Sequence, residues 1–105
     1  MISSDVIRGY NDTIILAILS KEPSYAYEIS KTIKEYTQGK YIIKETTLYS
    51  AFSRLEKNNF IKPISIKDMS ESRRTYYQIT QDGIAYLNEK KNEWKTTQDV
   101  INKFI

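Results

Sequence analysis

The chain has 105 residues and a net charge of +3, enough for one domain with one core. At 40% hydrophobic and 28% charged it has the makeup of a soluble globular protein, not of a disordered one. It contains neither cysteine nor histidine. That excludes disulfide scaffolds, zinc fingers and thiolate nucleophiles, and it removes the commonest general base and metal ligand.

The longest unbroken apolar run, from Ile14 to Leu19, is six residues, whereas a membrane span needs roughly 20. Residues 1–5 show no basic region leading into an apolar stretch, so no signal peptide, no membrane partner and a cytoplasmic location are expected. The only glycines are Gly9, Gly39 and Gly83, too scattered for a phosphate-cradling loop or a nucleophile elbow. No enzyme, metal site or cofactor is expected. Charge is unevenly spread. Between Lys40 and Tyr77 eight basic residues face four acidic ones, so this stretch carries +4 and the remainder −1. A basic middle with near-neutral flanks suits a local polyanion-binding surface, although an ordinary solvated surface gives the same count.

In chain order, Ile7, Ile14, Ile15, Ile18 and Leu19 predict an amphipathic helix over residues 5–20. Lys21-Glu22-Pro23 interrupts it, and Ser24 is the expected N-cap of a second helix with Ala26, Ile29, Ile33 and Tyr36 as its buried stripe. Gly39 is the expected stop of that helix. After a link over 40–44, a third helix starts near Glu45 or Thr46 and ends at Asn58-Asn59. Its apolar back is Leu48, Phe52 and Leu55, and its front carries Thr47, Ser50, Arg54 and Lys57. Two β-prone runs, 60–66 and 75–79, enclose a polar loop and Arg73-Arg74, the pattern of a hairpin. Pro63 confines the first run to an edge or irregular strand. Thr80 caps a last helix reaching about residue 103, some 24 residues or roughly 36 Å. A domain of this size is only about 26–30 Å across, so that helix outruns its own core.

Helix, helix, helix, hairpin, helix is the order of a winged helix-turn-helix, mainly α with a small β-hairpin. The expected division is a DNA-binding unit over 1–79 and a dimerisation helix over 80–105, within one structural unit. The major groove, about 12 Å wide, admits one helix with a buried back and a polar front. The third helix fits that demand, and the wing brings cations to phosphate.

Three motifs resemble one family. Glu45-Thr46-Thr47-Leu48-Tyr49, then Phe52, Arg54-Leu55-Glu56-Lys57 and Phe60-Ile61, resemble the recognition helix of the PadR family of transcription regulators. Arg73-Arg74-Thr75-Tyr76-Tyr77-Gln78-Ile79-Thr80-Gln81-Asp82-Gly83 is similar to that family's wing, and Tyr25-Ala26-Tyr27-Glu28-Ile29 to the start of its second helix, where glycine often replaces Ala26. The resemblance covers about 7–105. It implies a homodimer, repression of nearby genes and release by a ligand or signal. The single long C-terminal helix resembles a compact branch, some members of which regulate drug-efflux genes and bind flat aromatic compounds at the dimer interface.

The expected DNA contacts are Lys44, Thr46, Thr47, Tyr49, Ser50, Arg54, Lys57, Arg73 and Arg74. Tyr49 suits a phosphate contact or a packing role. Arg54 and Lys57 suit phosphate or solvent, with Glu56 near enough to pair with either. Of Arg73 and Arg74, one can brace the fold, because adjacent residues point to opposite faces of a strand. Leu87, Trp94 and Ile101 recur every seven residues and, with Ile7 and Ile14, are the expected dimer contacts. Lys91 and Gln98 interrupt that seam. In drug-binding relatives a tryptophan at the position of Trp94 stacks on ligand from both subunits; here it either does so, with Thr13, Ala17 and Gln98 as neighbours, or packs the dimer core. Two functions are open at this point: a DNA-binding, ligand-responsive repressor acting on a pseudo-palindromic operator, and a dimeric ligand-sequestering or protein-interaction module that no longer binds DNA.

Overall fold

The computed structural model describes residues 2–65 and 74–105. The expected first helix is broken. α1 (Ser4–Ile7) is a single turn whose N-cap Ser3 accepts the Asp5 N–H, Arg8–Tyr10 form a 3-10 turn, and α2 (Asn11–Leu19) follows. The break is centred on Gly9, the residue that costs a continuing helix about 1 kcal/mol relative to alanine.

α3 (Ala26–Tyr36) starts one residue later than its expected cap implies. Ser24 is drawn into a β-bridge instead, exchanging two backbone hydrogen bonds with Tyr77 at 2.8 and 3.2 Å. Its hydroxyl donates to Glu28 Oε1 rather than accepting a helical amide. The helix ends in a Schellman motif: Gln38 N–H donates to the Glu35 carbonyl and Gly39 N–H to the Lys34 carbonyl. Gln38 and Gly39 both hold positive φ, at 53° and 79°, so the glycine sits one residue past the left-handed cap it was expected to fill. α4 (Glu45–Lys57) ends in the same way, with Asn59 at φ 63° and Phe60 N–H donating to the Leu55 carbonyl.

β1 (Ile61–Ile64) and β2 (Tyr76–Ile79) form the antiparallel hairpin, with Ile61 opposite Ile79 and Pro63 opposite Tyr77. Residues 66–73, including Arg73, lie outside the described residues. α5 (Gln81–Asn102) begins at the expected cap, Thr80, whose hydroxyl accepts the Gly83 N–H and donates to the Asn59 carbonyl. Gly83 is required there: a Cβ would stand 2.1 Å from the Phe60 carbonyl oxygen.

The core is one cluster. Ile15, Leu16 and Leu19 of α2 meet Ile29 and Ile33 of α3, Leu48, Ala51, Phe52 and Leu55 of α4, and Ile61 and Leu87 from the hairpin and α5. Each of these leucine, isoleucine and phenylalanine side chains contributes about 1.5–3 kcal/mol on burial, and Ala51 less. Among the described residues no buried side-chain nitrogen or oxygen lacks a partner. α5 packs chiefly on α2 and then leaves the domain, every residue from 91 onward being exposed. The molecule is therefore 52 Å long but only 29 Å in its next dimension. This is a mainly helical winged helix with a two-strand wing.

Candidate nucleic-acid interface

α4 presents the surface that the sequence singles out. Its back is Leu48, Ala51, Phe52 and Leu55, all buried. At 100° per residue the side opposite that back is Thr46, Ser50, Ser53 and Lys57, and all four are exposed. The outward stripe is thus rotated from the expected front. Thr46, Ser50 and Lys57 belong to it. Ser53 is absent from the sequence reading, although its position, seven after Thr46 and three after Ser50, carries the signal.

The two flanks are engaged by the fold. On one, Arg54 Nε and Nη2 donate to both carboxylate oxygens of Asp12 in α2, at 2.8 and 2.5 Å. That bond raises the guanidinium's pKa above its ordinary value. Arg54 therefore spends its two best donors on the protein. Thr47, on the same flank, is partly buried and shares a cleft of about 400 Å³ with Arg8, Asn11, Tyr41 and Lys44. Lys44 is exposed at the N-cap of α4. On the other flank the half-exposed Tyr49 sits edge-on to Phe52 with ring centroids 5.9 Å apart. Phe52 in turn packs on Tyr77 of β2 at 4.7 Å. Burial pushes the Tyr77 phenol up from its ordinary pKa, with Glu56 adding to the shift.

The return strand of the wing is tied to the start of α3. Arg74 lies with its guanidinium carbon 4.5 Å above the Tyr25 ring, and Tyr25 packs on Tyr76 at 5.0 Å. Arg74 is exposed beside α4, so a cation, Tyr49 and the hydroxyl stripe share one side of the molecule. An exposed helix with a polar front, flanked by a cationic wing, can follow a duplex groove and its phosphates.

The model of the transcriptional regulator PadR-like family matches residues 15–89. The chain belongs to this family. A transcriptional regulator from Clostridium thermocellum is 58% identical and superposes with a TM-score of 0.91, covering 100% of this chain and 99% of that one. A PadR family transcription regulator from Clostridium difficile is 40% identical with a TM-score of 0.78, over 90% of this chain and 97% of its own. An uncharacterized protein of Lysinibacillus sphaericus is 41% identical over 105 residues, covering 100% of this chain and 96% of its own length. PadR-family proteins are DNA-binding transcriptional regulators, not enzymes.

In this PadR-family chain the residues expected to hold a ligand separate into three places. Trp94, 45% exposed, meets Tyr10 edge-on at 5.2 Å and shares a cleft of about 350 Å³ with Thr13. Ala17 faces a different groove, between α2 and α3, of about 570 Å³. Gln98 is exposed beyond both. Of the expected dimer contacts, Trp94 and Ile101 are exposed, and Ile7 and Ile14 are partly so. Leu87 is 3% exposed and packs in the chain's own core. Among the described residues, no helix is long and apolar enough to cross a membrane.

Proposed function

We propose that this PadR-family regulator is a cytoplasmic, ligand-responsive repressor of a nearby operon, acting as a homodimer on a pseudo-palindromic operator. The observation that carries the reading is α4: its back is sealed in the core, Arg54 on one flank is held by Asp12, and Thr46, Ser50, Ser53 and Lys57 face outward. In this reading α4 enters the major groove, with Lys44, Thr47 and Tyr49 at its edges, and Arg74, with Arg73 before it, takes phosphate.

Dimerisation is supported by the exposed apolar residues of α5 beyond the domain, Trp94, Val100 and Ile101, together with Phe104 just after it and Val6 of α1. A patch of this kind favours a partner over water. The division into a DNA-binding unit over 1–79 and a dimerisation helix over 80–105 follows the same logic. The cleft at Trp94 and Thr13 is the proposed place for a planar aromatic inducer.

The test is protection of the DNA upstream of the protein's own gene at low salt, with affinity falling as salt rises. Protection of two half-sites one or two helical turns apart is the expected result. Intact dimers that protect nothing at low salt would sink the reading and favour the ligand-sequestering module. Quenching of Trp94 by a planar aromatic compound, alongside release of the DNA, is the expected sign of the inducer.

A further inference from the structure

Between the first turn of α3, the flank of α4 and the start of β2 lies a groove of about 280 Å³ lined by Tyr25, Tyr27, Tyr49, Arg74 and Thr75. It is distinct from the outward stripe of α4, and one of its residues, Tyr27, belongs to no site described so far. Tyr27 is 69% exposed. Neither its hydroxyl nor that of Tyr49 has a hydrogen-bond partner among the described residues. The acidic residue nearest in sequence, Glu28, is bound to Ser24 and lines the groove between α2 and α3 instead. Glu56 acts on Tyr77, at the α4 side.

We infer that this groove binds one phosphodiester of the DNA backbone, with Tyr27 as a donor beside Tyr49 and Arg74. Tyr25 is the positioning residue that holds Arg74 in place. The inference rests on the DNA-binding reading above and adds α3 to the surface that reading uses. Tyrosines and an arginine lining one groove supply the kinds of donor that backbone recognition employs. A base edge is a poorer occupant, because single hydroxyl donors on separate helices do not form the paired contacts that discriminate bases. Tyr25 gives the cation a fixed direction. Its ring face stabilises the guanidinium without neutralising it, and its packing on Tyr76 fastens both to β2.

The two roles leave different signatures. Tyr27→Phe removes a neutral donor, so affinity falls about tenfold, equally for the upstream duplex and for a random-sequence duplex of the same length. Because no charge is removed, the dependence of affinity on salt keeps its slope. Arg74→Ala lowers that slope by about one. Tyr25→Ala lowers it in part with every charge still present, and Tyr25→Phe, which keeps the ring, restores it. Thermal melting of each variant confirms that the fold is retained; Tyr27→Phe and Tyr25→Phe keep the ring and are the decisive pair. If the wild type binds and Tyr27→Phe binds both duplexes as tightly, the phosphodiester site is overturned while the DNA-binding reading survives. If Tyr27→Phe loses affinity for the upstream duplex alone, Tyr27 reads sequence and the site is again misassigned. If the wild type binds neither duplex at low salt, both readings fail together.

Discussion

The ion pair between Arg54 and Asp12 bears directly on what α4, in the proposed reading, offers to DNA. It joins residues 42 apart in sequence, fixing one flank of α4 to α2, and it is bidentate. The Asp12 side chain is 22% exposed and that of Arg54 51%, so solvent screens the pair but does not surround it. Exposed pairs contribute about 0.2–1 kcal/mol, and the two-point geometry places this one at the upper end, about 1 kcal/mol. For a domain of this size that corresponds to a melting shift of about 4 °C. The assay is a double-mutant cycle of Asp12→Ala, Arg54→Ala and the double variant by urea or thermal unfolding. Salt-dependent DNA binding is measured on the same proteins and on Asp12→Asn. The expected coupling is about 1 kcal/mol, and Arg54→Ala should leave the salt slope nearly unchanged. Asp12→Asn, which weakens the pair in place, should steepen the slope by up to about one as the guanidinium turns to phosphate. A coupling below about 0.3 kcal/mol would refute the reasoning, as would a full unit of slope lost in Arg54→Ala with none gained in Asp12→Asn.

Three other outcomes follow from the same geometry. Gly83→Ala forces a Cβ against the Phe60 carbonyl, so unfolding should shift by about 1–3 kcal/mol or more, read in urea, while Ala85→Gly on the exposed side of α5 should cost only about 1 kcal/mol. Tyr41 has its pKa raised above 10.0 by burial, against the bond it donates to Asn11. The folded state keeps that proton after the unfolded chain has lost it, so stability is intact below about pH 10 and falls above it, and Tyr41→Phe should make the fall in urea midpoint shallower. Ile101→Glu puts a charge on the exposed apolar end of α5, far from the core, and sedimentation should show monomers with an unchanged far-ultraviolet spectrum.

The order of elements was legible because each rests on local chemistry. The 3.6-residue stripe of Leu48, Phe52 and Leu55 needed only the helix itself, and so did the Thr80 cap and the excess length of α5. What escaped the sequence is what depends on a distant partner. Ser24 has the right hydroxyl for a cap, but its backbone is claimed by Tyr77, more than fifty residues away. Arg54 has the right charge for phosphate, but Asp12 reaches it first, and nothing in the periodicity of α4 reveals a carboxylate on α2. Leu87 obeys the seven-residue spacing of Trp94 and Ile101, yet the spacing cannot say where the helix leaves its own core; the boundary falls between Leu87 and Trp94, so one stripe serves two surfaces. The same distinction bears on the site. With the back of α4 sealed and Arg54 held by Asp12, the most open face, Thr46, Ser50, Ser53 and Lys57 with the half-exposed Tyr49 at its edge, follows from the contacts made elsewhere on α4 as much as from the polarity of its own residues.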